Sequence, residues 1–270
     1  MNFFRSQRTM KTTNNMNPSR HIVAVALLIL TSASVRAQAT SALDAARTAL
    51  KASDLNKASA LLEPLTGEGV QDAEAFHLLS NVRIAQKNTK AAVELAEKAT
   101  ILDSTQAAYF SQLGMALGIR MSEVGFMQQA MMAGKLKQAF SKAVELDPND
   151  LGGLMGLVRY YLQAPAIAGG SLEKAKEYAM RVQRIDPFLG ALELGNVADQ
   201  GENYEEALRH FETASTLRPG NATVENRCGR LLARLGRKAE ARARFEGVLK
   251  INSADESAKS GLAALDAPVE

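Results

Sequence analysis

The sequence predicts an all-α solenoid of about six helical hairpins closed by a C-terminal capping helix, and three observations carry that expectation. The first is a repeat: the stretch from Phe188 to Asp255 is two 34-residue segments that match each other end to end. Leu194-Gly195 is answered by Cys228-Gly229, Ala207 by Ala241, Phe211 by Phe245, Ala214 by Val248 and Leu217 by Ile251. A fixed period of this size marks stacked supersecondary units. The second is the choice of residues. Gly195, Gly229, Ala207 and Ala241 are small where two antiparallel helices must approach closely, while Phe211 and Phe245 fill the space between neighbouring hairpins. The third is composition: 46% of residues are hydrophobic but only 5% are aromatic, with no tryptophan, so the core must be made of close helix crossings. Seven prolines and 19 glycines are too few for a disordered chain.

This pattern of small residues, phenylalanine and a proline stop (Pro219) over 34 residues resembles the tetratricopeptide repeat. The resemblance implies a right-handed solenoid whose first helices line a concave face, where ligands of such arrays usually bind. It is specific in units 73–106, 188–221 and 222–255, fair in 107–150 and 151–187, and marginal in 39–72.

The N-terminus reads as a targeting segment. Arg5, Arg8, Lys11 and Arg20 precede the apolar run Ile22 to Leu30, and Val35-Arg36-Ala37 supplies a small residue at each end of a cleavage triplet. That is the layout of a secretory signal peptide over residues 1–37, cut between Ala37 and Gln38. An uncleaved anchor is the alternative, although the run falls short of the roughly 20 residues that span a bilayer. A start at Met16 would leave a more compact leader. Residues 1–37 hold five of the 32 basic residues and none of the 29 acidic ones, so the remainder carries 27 − 29 = −2. The basic balance belongs to the leader, and nucleic-acid binding loses its compositional support.

Unit 39–72 places Ala46 and Ala58 in the small-residue slots, and Pro64 should end its second helix early. Unit 73–106 opens on Phe76 and Leu79-Ser80, with Ala92, Ala96 and Ala99 on its second helix. Asp103-Ser104, Asp147-Pro148 and Asp186-Pro187 mark the stops after second helices. In unit 107–150 the phase slips: Ala99 to Ala143 is 44 residues, about ten more than the repeat. The extra residues fall between Gly118 and Gly134, carry Met121, Met127, Met131 and Met132, and are expected to lengthen both helices. Packing under that hairpin is the expected role of these methionines, with a partner surface as the alternative. In unit 151–187 the stretch Gln163 to Gly170 replaces a short turn, with Ser171 as N-cap and Glu173 in the first helical turn. From Val182 to Ala214 is only 32 residues, so the following turn is two short. A capping helix over 256–267, with Ala258, Leu262 and Leu265 on one face, shields the last hairpin, and 268–270 is a tail.

No catalytic constellation emerges. His77 and His210 have no histidine or cysteine at metal-ligand spacing, so neither metal nor cofactor is expected. Cys228, the only cysteine, takes the slot of Leu194 and reads as a small buried hydrophobe. Gly152-Gly153 and Gly169-Gly170 lack the strand and the Gly-Lys-Ser/Thr of a phosphate loop and read as turn and packing glycines. The chain therefore reads as a non-catalytic scaffold that binds a protein or peptide partner in the cell envelope. The positions one place after the small slot should line the inner face: Arg47, Asn81, Met115, Arg159, Asn196 and Arg230, with Asn226 one turn before Arg230. Amides and guanidinium groups can hold an extended peptide by its backbone or its carboxylate. The two-carboxylate clamp of some family members is incomplete, since Arg47, Asn81 and Met115 supply no lysine at the right phase. The alternative function is small-ligand binding, or a transport accessory role, in a pocket near the 119–134 and 163–170 insertions.

Overall fold

The computed structural model describes residues 38–67 and 71–267. The predicted leader, its cleavage site and the 268–270 tail lie outside the described residues. Helix α1 (residues 38–51) and α2 (Leu55–Leu62) form the first hairpin. The others are α3 (Ala73–Ala85) with α4 (Thr89–Leu102), α5 (Ala107–Met121) with α6 (Phe126–Leu146), and α7 (Leu151–Gln163) with α8 (Leu172–Ile185). Then come α9 (Pro187–Gln200) with α10 (Tyr204–Leu217), and α11 (Ala222–Arg234) with α12 (Lys238–Ile251), before α13 (Glu256–Asp266) closes the row. Each helix from α2 onward packs on the next in sequence. The first helices also touch one another, α3 on α5, α5 on α7, α7 on α9, and α11 on α13. The first helices therefore form one layer of an all-helical solenoid, with no strand among the described residues.

The helices begin where polar caps allow. Asp54, Asp72, Asn88, Asp150, Ser171, Asp186, Asn221 and Asp255 each accept a hydrogen bond from the backbone amide three residues on. Each satisfies one of the free donors of a first turn. Asp186 also closes α8, so the turn between α8 and α9 shrinks to one residue, with Pro187 opening the next helix. A proline is tolerated there because that amide has no intrahelical partner. The shortened turn drives the helices together: a Cβ on Gly190 would lie 2.1 Å from Gln183 Cα. The expected stop at Asp186 is present, with no loop after it.

Inside four hairpins the same turn recurs. Ser53, Lys87, Glu202 and Gly236 take positive φ (57°, 60°, 59° and 76°), each immediately before the N-cap residue of the second helix. The next amide in each case reaches back five residues to the first helix, as in Asn88 to the Arg83 carbonyl at 2.8 Å. This satisfies carbonyls left free at a helix end. The turn is absent from the two hairpins that carry insertions, and three of its four left-handed residues are not glycine.

The core is organised around rings seated on bare backbone. A Cβ on Gly114 would stand 2.5 Å from the Phe140 ring, and one on Gly156 of the next first helix 2.4 Å from the same ring. Phe245 is held likewise by Gly229 (2.6 Å) and Gly261 (2.5 Å), and Phe211 by Gly195 (2.8 Å). Phe140 and Phe245 thus each wedge their own hairpin against the following helix. Unit 151–187 exchanges the volumes: Ala179 stands where the ring would be and Val158 where the glycine would be, both buried in one cluster. In unit 73–106 the slot is Ser80, whose hydroxyl donates to the Ala92 carbonyl at 2.8 Å and accepts from Gln112 at 3.3 Å. That buried link joins α3 to α4 and to α5.

The insertions are resolved differently from expectation. The lengthening falls mainly on α6, with 21 residues against 14 for α4, whereas α5 has 15 against 13 for α3. Met121 and Met132 pack against the core, but Met127 and Met131 are 76% and 79% exposed. The packing role expected of all four therefore holds for two, because the first two turns of α6 overhang the hairpin. Pro64 ends α2 at Leu62 and opens a 3-10 turn over Glu63–Thr66. In the 164–171 loop Gly169 is left-handed, and the missing side chain of Gly170 admits the Ala164 carbonyl. Gly153 is a packing glycine, with a Cβ position 2.9 Å from Val144.

Phe245→Ala should destabilise the protein by about 3–5 kcal/mol in urea unfolding, because the ring fills a site shared by three helices. Gly229→Leu should cost about 1–3 kcal/mol by forcing that ring aside. Retention of wild-type stability by either would contradict the wedge. Lys87→Gly should gain up to about 1 kcal/mol by relieving a left-handed backbone, and Gly236→Lys should lose a comparable amount; thermal unfolding of the pair checks the sign.

A candidate binding groove on the first-helix layer

A polar recess on this layer lies across α7, α9 and α11, and helical spacing explains who lines it. On α9, Glu193, Asn196 and Gln200 stand at i, i+3 and i+7 and share one face, with Asp199 beside them. On α11, Arg227 and Arg234 are seven apart with Arg230 between, and on α7 Arg159 is followed by Leu162 and Gln163. All of these but Arg230 line a groove of ≈ 440 Å³. All of its lining residues come from first helices.

Two of the expected inner-face residues, Arg159 and Asn196, are brought together here. Arg230 is exposed on the same stripe of α11 and donates to the Ser257 hydroxyl at 2.8 Å. Burial first, and then the Arg227 charge, pushes its guanidinium pKa down. Arg47, Asn81 and Met115 belong to the same layer farther toward the N-terminus. Arg47 is held in ion pairs by Asp44 and Glu74, Asn81 is half-buried, and Met115 is 45% exposed. Asn226 is a correction. It is 3% exposed and donates through Nδ2 to Asp255 Oδ1 at 3.0 Å, so it supports the cap of α13 and cannot meet a partner. The register one turn before Arg230 points into the α11–α13 contact, and the groove residue is its neighbour Arg227.

The charges in the groove are unevenly satisfied. Arg234 Nη1 meets Asp199 Oδ1 at 2.8 Å across two units. Arg159 and Arg227 make no such ion pair among the described residues. The Arg227 guanidinium lies 5.4 Å from the centre of the Phe211 ring. It occupies the helix position that carries glycine in Gly156 and Gly261, so a cation replaces bare backbone against the ring. Between the two arginines stands Glu193, whose carboxylate accepts from Asn196 Nδ2 at 3.2 Å. Burial pushes the Glu193 carboxyl up, opposed by the Asn196 hydrogen bond and the charges of Arg159 and Arg227.

Sequence reasoning missed Glu193, Asp199, Gln200, Arg227 and Arg234. The signal was present: steps of three and four from Asn196 and Arg230 reach all five. Elsewhere, the His77 ring lies tilted against Tyr109 with centroids 5.0 Å apart and burial depresses its pKa, and no cluster among the described residues could hold a metal ion. Cys228 is buried, with its thiol pushed up to about 12 by that burial, which leaves it protonated and unreactive. The 163–170 loop meets α6 where Lys137 Nζ stands 5.6 Å from the Tyr160 ring centre, and Tyr160 donates to the Ala168 carbonyl at 2.6 Å.

Residues 200–265 match the family model described as tetratricopeptide repeat. No curated protein matches the sequence. Among solved structures, the fold is similar to that of PilW, a type IV pilus biogenesis factor, with a TM-score of 0.68 at 15% identity over 83% of this chain and 98% of that one. It is similar to PilF of Pseudomonas aeruginosa, with a TM-score of 0.64 at 18% identity over 85% and 98%. A chain of the APC/C hetero-tetramer Cut9–Hcn1 aligns with a TM-score of 0.67 at 13% identity, over 85% of this chain and 43% of its own length. At these identities the likeness concerns the fold.

Glu193 makes a pH prediction. Its folded pKa is raised, so the native state binds more protons than the unfolded chain between the two values, and stability falls as pH rises through that window. Glu193→Gln removes the buried charge and keeps an oxygen for Asn196. It should raise the melting temperature near pH 7 and change it less at about pH 4, below the unfolded carboxyl value. Equal shifts at both pH values would show that the charge is not what the site carries.

Proposed function

For a tetratricopeptide-repeat solenoid such as this chain, we propose the role of a non-catalytic scaffold that docks a protein or peptide partner in the α7–α9–α11 groove. The observation that carries the reading is the groove itself: a polar trough built from first helices, with two guanidinium groups that have no ion-pair partner among the described residues, beside side-chain amides. Rigid surrounding hairpins hold these side chains in place before a partner arrives, which lowers the ordering cost of binding. The leader-like residues 1–37 support a periplasmic or secreted location. No described helix is long and apolar enough to cross a membrane. The small-ligand alternative rested on the two insertions, but the recess lies on the first-helix layer and takes only Gln163 from them.

Random-sequence peptide display against the purified protein tests this reading. Enriched peptides should bind the wild type and lose binding to Asn196→Trp, which fills the trough while the circular dichroism and melting temperature stay close to wild type. Peptides that bind the blocked variant equally well, or a library that yields no enrichment, would refute the groove as a docking site.

A further inference from the structure

The charge and side-chain chemistry of the groove define what it holds. Outside residues 1–37 the chain is net acidic, 27 − 29 = −2, yet the residues lining the groove carry three arginines against two carboxylates. The Arg234–Asp199 pair cancels internally. That leaves Arg159 and Arg227 facing one carboxyl, Glu193, which forms an ion pair with neither and is disfavoured as an anion by its burial. Arg227 is further oriented by the Phe211 ring beneath it, so its planar fork loses little freedom on binding. One turn along α11, Arg230 is bound only to the neutral Ser257 hydroxyl and extends the positive stripe.

We infer that the groove takes an extended acidic peptide segment, with one carboxylate of that segment bound by Arg159 and Arg227; this rests on the scaffold reading above. A guanidinium matches a carboxylate through two parallel hydrogen bonds. Gln163, Asn196 and Gln200 present amides that donate and accept, which suits the alternating groups of an extended peptide backbone. The same lining argues against nucleic acid. No aromatic ring lines the groove to stack a base. Glu193 and Asp199 would stand against a continuous row of phosphates. A peptide can place neutral residues opposite those two carboxylates, whereas a nucleic-acid backbone cannot.

The test uses fluorescence anisotropy with the full chain and three labelled probes: a 12-residue alternating Glu-Ala peptide with an amidated C-terminus, its Gln-Ala counterpart, and a 12-nucleotide oligo-dT. The Glu-Ala peptide should bind, with the Gln-Ala peptide and oligo-dT at least about tenfold weaker, since a hydrogen bond to a charged group contributes more than a neutral one. Arg159→Gln and Arg227→Gln should each weaken Glu-Ala binding by about tenfold. Arg209→Gln, exposed on α10 outside the groove, should leave it unchanged. Arg159 is exposed, so its variant decides the matter should Arg227→Gln lower stability through the lost ring contact. Equal affinity for the Glu-Ala and Gln-Ala peptides, indifference to Arg159→Gln, or no Glu-Ala binding would overturn the acidic assignment. Oligo-dT binding that depends on both arginines would replace it with a nucleic-acid surface. Groove-dependent peptides from display that prove neutral or basic would sink this inference alone, whereas failure of both experiments would remove the scaffold reading with it.

Discussion

The structure depends on a steric constraint: an aromatic ring on a second helix seats against first helices most closely where those helices offer backbone without a side chain. Phe140 between Gly114 and Gly156, and Phe245 between Gly229 and Gly261, are its clearest cases. Because each of these two rings touches the following helix as well as its own hairpin, it sets the step from one unit to the next. Stability of such arrays is the sum of unit and interface contributions, so a ring at the interface acts on both. Unit 151–187 meets the same constraint by transferring volume, with Val158 and Ala179 in place of a glycine and a phenylalanine. Total volume is held while the partners change, which a core tolerates.

The candidate groove arises where that constraint is met by a cation. Arg227 stands at the position of Gly156 and Gly261 and covers Phe211 with its guanidinium, so the element that stacks the hairpins also holds a charge at the groove. A cation over a ring is attracted by the negative face of the π system and keeps its hydrogen-bonding edge free. The Arg234–Asp199 ion pair knits α9 to α11, and Asn196 holds Glu193 within α9, without consuming Arg159 or Arg227. Packing and recognition are therefore built from the same residues, on rigid helices rather than loops.

The two insertions mark a different kind of departure. They replace the left-handed turn shared by four other hairpins, and one of them extends α6 beyond its partner helix. Phe126, Met127 and Met131 are left on the surface there because α5 is too short to cover them.

The sequence alone determined the all-helical repeat. Its period, its alanine and glycine slots and its helix stops are local patterns, and a helix writes its buried face at fixed spacing along its own chain. Ser171 as a cap, Pro64 as a stop and Cys228 as a buried hydrophobe were legible for that reason. Tertiary structure decided which positions face a common space. Asn226 and Arg227 are adjacent in sequence, yet one is buried against the α13 cap and the other opens onto the groove. Glu193 and Asp199 become part of a site only because α7, α9 and α11 lie in one layer. The turn at Ser53, Lys87 and Glu202 was equally hidden, since three of its four residues lack the glycine that advertises a left-handed backbone. Periodicity reports the rotation of a residue about its own helix axis. A groove across three helices depends also on how each helix is turned toward its neighbours, and that is settled by rings and side chains brought together from hairpins far apart in the chain.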